Sequence, residues 1–452
     1  MNKMDLDTAL ARLKEKKIAV LGLGVSNRPL VRLLLAAGCQ VFGHDRTPRE
    51  KLDQEVLELE AMGCRLCLGD GYLDDIQADV AFRTPGMHPD QPGIRAFREK
   101  GGEVTSEMEL FFQVCPCKII AVTGSDGKTT TTSLIAAMLK AQGHKVWLGG
   151  NIGTPLLPLV REMAQTHIAV VELSSFQLLD MAHSPSVAVI TNLAPNHLDV
   201  HKDMAEYVWA KENIYRYQGA GDTLILNADN AITDSFAGPG VTRKFSRKQK
   251  TNGLWEQNGV IYRGETPVLE TRDILIPGDH NIENYMAAIL AVEGLVEDET
   301  VRQVAKTFGG VEHRIELVRV KDGVRFYNDS IASSPSRTIA GLRSFRQKVL
   351  LIVGGYDKNI PFDELGPEIR AHVKKLYLGG ATGPKIKAAV EACQGDAVDI
   401  IDCGDFESAV RAAARDAQAG DVVLMSPASA AFDQFKNFMV RGEFFKKLVM
   451  EL

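Results

Sequence analysis

Short apolar, β-branched runs alternate with helix-patterned segments along nearly the whole of this chain, and that alternation restricts its fold more than any other feature. Lys17-Ile-Ala-Val-Leu21 reads as a strand, followed by a glycine turn, the apolar-periodic Pro29–Ala37 and a second strand, Gln40-Val-Phe-Gly43, that ends at Asp45. Lys118-Ile-Ile-Ala-Val122 is followed by another glycine turn and a helix over Thr129–Ala141. Ile168–Val171, Val187–Thr191 and Thr223–Leu226 continue the series, and Lys348–Val353, Lys374–Leu378 and Asp421–Met425 alternate with helices to the end. Strands apolar on both faces, each followed by a helix, form parallel sheets of βαβ units, because the crossover helices cover both faces. The expected fold class is α/β.

The series restarts near residues 118 and 348, each time with a strand and a glycine-rich turn. Between about 240 and 276 the pattern changes, and Gly253–Gly259 and Val260–Gly264 read as short antiparallel strands joined by turns. A length of 452 residues, at roughly 150 per domain, suggests three domains, placed at 1–115, 116–311 and 312–452.

Lys and Arg total 52 against 58 Asp and Glu, a net charge of −6, which argues against a general nucleic-acid binder. No apolar run approaches the ~18–20 residues that span a bilayer. Met1–Lys17 is charged throughout and has no signal-peptide apolar core. A cytoplasmic location is expected, with small-molecule partners, no membrane insertion and a monomeric chain. Seven scattered cysteines do not read as a disulfide framework. Cys64-x-x-Cys67 and Cys115-Pro-Cys117 lack the second pair of ligands that a structural zinc site needs, so they read as reduced thiols.

Chemistry enters at Thr123-Gly-Ser-Asp-Gly-Lys-Thr-Thr130, between a strand and a helix. Gly124 and Gly127 allow backbone N–H groups, with those of Ser125 and Asp126, to face a phosphate. The helix start through Thr130 adds positive partial charge. Lys128 can reach the outer phosphates and the Thr129 hydroxyl can bind Mg²⁺. The spacing is shorter than the general GxxxxGK[ST] form, but its placement points to nucleotide phosphate. Gly22-x-Gly24-Val25-Ser26-Asn27 is a weaker fingerprint, with Asn27 where a third glycine often stands and Asp45 placed to meet a ribose. On its own it fits NAD, another nucleotide or a plain βα turn.

Glu172 ends a strand and can share Mg²⁺ with phosphate oxygens. His197 follows the next strand. Lys211 lies on an expected helix, where a solvated lysine is the ordinary reading, and Asn151 sits in a tight Gly149–Gly153 loop. Asn281 reads partly as a cap of the helix that carries Asn284. His313-Arg314 opens a new segment, and arginine suits the charge of a transferring phosphoryl group.

In this order, the phosphate loop, Glu172-Leu-Ser-Ser-Phe-Gln177, Asn196-His197-Leu-Asp199 with Lys211, Gly278-Asp-His-Asn281 with Asn284, and His313-Arg314 resemble the Mur ligases, ATP-dependent amino-acid ligases of cell-wall precursor synthesis. The resemblance covers essentially the whole chain. It implies a Rossmann-like N-terminal domain, a P-loop ATPase-like central domain and a Rossmann-like C-terminal domain. Three further segments are most similar to the branch that adds D-glutamate to UDP-N-acetylmuramoyl-L-alanine: Gly22-x-Gly24 with Asp45-Arg46 and Arg83-Thr-Pro-Gly86, Gly354-Gly-Tyr-Asp-Lys358, and Ser426–Phe438 followed by Arg441-Gly442.

The roles that the resemblance implies are specific. Gly24, Val25, Ser26, Asp45, Arg46 and Thr84 would hold the UDP part, while Asn151 and His197 would face the sugar-peptide end. Lys128, Thr129 and Glu172 would hold the ATP phosphates and Mg²⁺. Lys211 would be carbamylated and carry a second Mg²⁺. Asn284 would contact adenine, Arg314 the γ-phosphate and Asp329 the ribose. Ser333 would supply a hydroxyl where the family often has threonine, and Lys358 and Phe438 would place the glutamate. Two departures stand out: Ile331 replaces a common lysine, and Ala431 a serine that often binds the glutamate side-chain carboxylate, so backbone N–H groups or Ser429 would have to compensate.

The chemistry expected of such parts is activation of a carboxylate as an acyl phosphate, then attack by an amine. Three alternatives stay open at this stage. A ligase of the same superfamily could add a different amino acid or act on a folate. An NAD-linked dehydrogenase would leave Lys128, Glu172 and Arg314 without a role. A P-loop binding protein would bind ATP without acyl transfer.

Overall fold

The computed structural model describes residues 4–197 and 200–452; Met1–Lys3, and Leu198 and Asp199 of the Asn196–Asp199 motif, lie outside the described residues. The chain divides into two compact units, one formed by Met1–Glu270 with Glu283–Val304, the other by Thr271–Ile282 with Ala305–Leu452. The first unit contains two sheets and the second unit one.

The first sheet is parallel, in the order Arg65–Leu68, Gln40–Asp45, Lys17–Leu21, Val80–Arg83, Glu103–Thr105. The second has nine strands. Lys118–Thr123 is third from one edge, between Ile168–Glu172 and Val187–Ile190, and Val146–Gly150 forms that edge. Toward the other edge come Thr223–Asn227 and Val241–Ser246, then Leu254–Gln257, Val260–Arg263 and Thr266–Glu270 as an antiparallel meander. The change of pattern near residues 240–276 is therefore a change from parallel to antiparallel pairing.

The apolar strands run inward as expected. Every residue of Ile168–Glu172 is buried, and Val349–Val353 is likewise buried throughout. Each such aliphatic side chain contributes about 1.5–3 kcal/mol by leaving water. One core, including Val20, Val41, Phe111, Val171 and Leu193, is continuous under both sheets of the first unit.

The sheet of the second unit has the order Glu316–Lys321, Val324–Asn328, Val422–Met425, Val349–Val353, Val373–Gly379, Asp399–Gly404. Its edge pair Glu316–Lys321 and Val324–Asn328 is antiparallel. Residues such as Leu351 and Leu424 pack on one face, and Ile352, Tyr377 and Phe445 on the other. All seven cysteines are free thiols, as read from their spacing. Among the described residues, no helix is long and apolar enough to cross a membrane.

Several helices are capped by the side chain that precedes them. The helices beginning at Leu6, Gln54, Glu107, Met204, Phe406 and Phe438 are capped by side chains of Asp5, Asp53, Ser106, Asp203, Asp405 and Asn437. These side chains accept N–H groups that the helix itself cannot satisfy. The helix Lys128–Ala141 begins instead at Gly127, with no side-chain cap. Its N-terminus directs positive partial charge toward the loop.

Candidate active site

The phosphate loop joins the strand Lys118–Thr123 to that uncapped helix. Gly124 has φ +149°, and a Cβ there would lie 1.9 Å from the Thr191 hydroxyl oxygen. Gly127 has φ +76°, and a Cβ there would meet the Asn284 side-chain oxygen at 2.3 Å. The loop is fixed from outside. Thr191 donates its hydroxyl to the Asp126 carbonyl at 2.6 Å, Asn192 Oδ1 accepts the Asp126 N–H at 3.0 Å, and Tyr207 and Ser125 share a hydroxyl hydrogen bond of 2.8 Å. Lys128 Nζ donates to the carbonyls of Gly124 and Ser125. Thr129 and Thr130 follow in the first helical turn, half-buried. Asn284 is buried and accepts the Thr131 hydroxyl at 3.2 Å. Beside the loop opens a cleft of about 550 Å³ whose lining includes Asp126, Asn192, Arg247, Lys248 and Glu283.

Glu172 ends the neighbouring strand, paired in register with Val122. It is buried, and Asn151 donates its amide to Glu172 Oε1 at 2.8 Å. Glu172 Oε2 is buried with no hydrogen-bond partner among the described residues. A buried carboxylate oxygen left without a donor suits a cation. Lys211, buried on the helix Met204–Arg216, donates to the Thr123 hydroxyl and the Gly124 carbonyl, each at 2.9 Å. Burial depresses its amine pKa well below the usual lysine range; nearby Lys128 adds to this and Glu172 opposes it. The neutral amine is thereby favoured.

His197 is exposed with φ +56°, its ring edge-on to Phe176 at 5.1 Å. Asn151, Glu172, Lys128, Thr129 and Lys211 thus gather at the C-terminal ends of adjoining strands, where ligands of open α/β sheets bind. Sequence reasoning missed Tyr207 and Thr191, which hold the loop. Tyr207 stands four residues before Lys211, one helical turn away on the same face, and that spacing is the signal that could have found it.

Three strand ends of the first sheet converge on the Gly22 turn. Gly22 has φ +88°, and a Cβ there would touch Thr84 Cγ2 at 2.6 Å. Around Gly24 there is open space, Val25 is 80% exposed, Ser26 begins the helix without a capping bond, and Arg46 is exposed. Asn27, in place of the third glycine, is buried and donates its amide to the Gly22 carbonyl at 2.8 Å. Asp45 accepts the N–H groups of Leu23 and Thr47. Burial alone would raise its pKa, but these donors hold it below the usual carboxylate value. Asp45 therefore braces the turn whatever else it binds.

In the second unit, Arg314 is exposed on a turn whose flanking residues, His313 (φ +63°) and Ile315 (φ +44°), are both left-handed. That conformation is costly for a β-branched residue. Asp329 accepts the Ile315 N–H at 3.3 Å and the Ser426 hydroxyl at 2.6 Å; burial pushes its carboxyl up to about 7. Asn328 donates to Glu316 at 3.0 Å, and Phe438 lies edge-on to His313 at 5.9 Å. Ser333 is half-buried and Lys358 is exposed, while the adjoining Asp357 pairs with Lys385.

Ala431 is buried, and Ser429, which could have compensated for the missing serine, directs its hydroxyl to Thr382 at 2.8 Å. Arg441, given no role from the sequence, is buried and donates to the carbonyls of Ala430, Ser429 and Ser330. Its partners are backbone oxygens more than ten residues away, so no pairing pattern in the sequence marks it. Glu312, His313 and Glu443 come together closely enough for a cation, but Lys446 Nζ already bridges Glu312 at 2.7 Å and Glu443 at 2.9 Å.

The chain is similar to known proteins along most of its length. The Mur ligase middle domain family matches residues 122–292, and the Mur ligase glutamate ligase domain family matches residues 313–429. The UDP-N-acetylmuramoylalanine–D-glutamate ligase of Acetivibrio thermocellus is 53% identical over 451 residues, covering 97% of each chain. The protein of that name from Clostridium kluyveri is 47% identical over 458 residues, covering 100% of both. Among solved structures, the UDP-N-acetylmuramate–alanine ligase of Thermotoga maritima aligns with a TM-score of 0.57 at 17% identity, over 96% of this chain and 99% of that one. At that identity the likeness concerns the fold alone.

Proposed function

Because this chain belongs to the Mur ligase family, we propose that it joins D-glutamate to UDP-N-acetylmuramoyl-L-alanine at the expense of ATP, in the cytoplasmic synthesis of peptidoglycan precursors. The single observation that carries the reading is a buried Glu172 oxygen with no donor among the described residues, on the strand next to the one that feeds the glycine-lysine loop and its helix start. It is a phosphate and cation site in a chain half identical to a D-glutamate ligase. We assign the UDP part of the substrate to residues 1–115, ATP to 116–311 and D-glutamate to 312–452.

The alanine carboxylate oxygen attacks the γ-phosphorus, the bond to the β,γ-bridging oxygen breaks, and ADP leaves. The uncapped N–H groups and Lys128 hold the β- and γ-phosphates in line, and Arg314 carries charge that develops on the transferring group. Thr129, Glu172 and a carbamylated Lys211 would hold Mg²⁺, which when bound neutralises phosphate charge. The orphaned Glu172 oxygen fits that group. His197 and Asn151 orient the sugar-peptide end, and Asn284 and Asp329 the nucleoside. Gly24, Val25, Ser26, Asp45, Arg46 and Thr84 hold the UDP. The glutamate amine, placed with help from Lys358, Ser333 and Phe438, then attacks the acyl carbon. It loses a proton to water, and phosphate departs as the amide forms.

The test is to trap the acyl phosphate. With ATP, UDP-N-acetylmuramoyl-L-alanine and hydroxylamine but no amino acid, the enzyme should form the hydroxamate of the sugar-alanine, and Glu172→Gln should not. Hydroxamate that forms equally without ATP, or not at all with a folded wild-type enzyme, would overturn the reading.

A further inference from the structure

We infer that His201 is a positioning residue for this reaction, holding the aromatic platform on which His197 rests together with the tyrosine that fixes the phosphate loop. The inference rests on the ligase reading through the role given to His197. His201 is 2% exposed. Its ring is stacked on Phe176, with centroids 5.2 Å apart and planes 4° from parallel. It also meets Tyr207 edge-on at 5.3 Å. One ring nitrogen, Nε2, lies 2.9 Å from the Ser175 hydroxyl, and the other, Nδ1, lies 3.5 Å from Glu206.

Each of these neighbours leads to the site. Phe176 follows Glu172 by four residues, and its ring is the aromatic neighbour of His197. The Phe176 backbone is fixed separately, since Arg83 donates to its carbonyl at 3.2 Å. Its ring orientation therefore depends on what packs against it, and His201 covers it face to face. Tyr207 bonds the Ser125 hydroxyl and lies under Lys211 Nζ, 5.3 Å from it. Glu206, which stands beside Nδ1 of His201, also bonds His88 at 3.2 Å and the Lys202 N–H at 2.9 Å. The ring is thus anchored through Nε2 and touches both aromatic supports of the site. His197, exposed and in a left-handed conformation, meets the Phe176 ring edge-on, and that contact helps define its side-chain direction.

A buried histidine that only fills the core would lower stability on removal and leave substrate affinity alone. A positioning residue shifts KM. The experiment compares wild type, His201→Ala and His201→Phe, the last retaining a ring to stack on Phe176. It reads kcat, KM for UDP-N-acetylmuramoyl-L-alanine, the thermal midpoint, and the imidazole C–H resonance of His197 by NMR, assigned with His197→Gln. His201→Ala should raise that KM about tenfold with kcat much less affected. It should also move the His197 resonance toward its unshielded position, and His201→Phe should restore most of both.

Should His201→Ala fail to fold, Phe176→Leu, which removes the platform itself, should raise the KM in the same way. Folded variants with wild-type KM and an unmoved His197 resonance, whatever their midpoints, would overturn the inference. A folded wild type that forms no product, with the His197 resonance still moved by His201→Ala, would reject the ligase reading while supporting the placement of His197 by His201.

Discussion

The Lys211 side-chain nitrogen donates to the Gly124 carbonyl at 2.9 Å, so the buried lysine and the first glycine of the phosphate loop form one unit. Burial depresses the lysine pKa, with Lys128 contributing and Glu172 opposing. A neutral amine adds CO₂, whereas a protonated one cannot, and the carbamate that results is an anion able to hold a metal. Wild-type enzyme equilibrated with ¹³C-bicarbonate should show a carbamate carbon resonance that Lys211→Gln lacks. Lys211→Gln should lose on the order of 10²-fold or more in kcat. A missing resonance in active wild type, or full activity in the variant, would contradict this role.

Gly124→Ala should weaken ATP binding. Its φ of +149° strains any side chain, and the new Cβ would lie 1.9 Å from Thr191 Oγ1. Trimming the partner, as in the double variant Gly124→Ala with Thr191→Ala, removes the clash but not the strain, and it also removes the hydroxyl that holds the Asp126 carbonyl. Titration with a fluorescent ATP analogue should find both variants at least about tenfold weaker than wild type. Binding restored by the double variant would show that the collision, and not the loop conformation, is what matters.

The pH dependence of stability should carry the mark of Glu107. This carboxyl is buried at the start of the helix Glu107–Val114, where it accepts the Leu157 N–H, and burial pushes it up to about 7 from 4.5. Between those values the folded chain binds more protons than the unfolded one. Stability is therefore lost as pH rises through this window, and the loss is complete above about pH 7. Glu107→Gln removes the titration. Relative to wild type it should gain on the order of 2 kcal/mol between about pH 5 and pH 8 in denaturant unfolding. Parallel pH profiles for the two proteins would contradict the assignment.

Much of the architecture was legible because buried parallel strands leave an uninterrupted apolar record. Lys118–Thr123, Ile168–Glu172 and Val349–Val353 are read directly from their residues. The edge pair Glu316–Lys321 and Val324–Asn328 is harder to read, since Arg319, Lys321 and Arg325 interrupt its apolar pattern. Its Asp322-Gly323 turn, with both residues at positive φ, was nevertheless a hairpin signal in plain view. At the site, the phosphate loop announces itself because glycines, lysine and hydroxyls are contiguous. The residues that brace it do not. Tyr207 and Thr191 reach the loop across the fold, and Arg441 holds carbonyls that a sequence does not display. Asn27 reads as a defect in a glycine fingerprint, yet its amide closes the turn on the Gly22 carbonyl.

The most direct test of the account is the mass of the product formed from ATP, UDP-N-acetylmuramoyl-L-alanine and one amino acid at a time, with phosphate release followed in parallel. D-Glutamate should give one phosphate per product and a mass increase of one glutamyl residue, while L-glutamate, lysine and diaminopimelate give neither. Product formed with one of the other amino acids in place of D-glutamate, or phosphate released from bound ATP without any new amide, would contradict it.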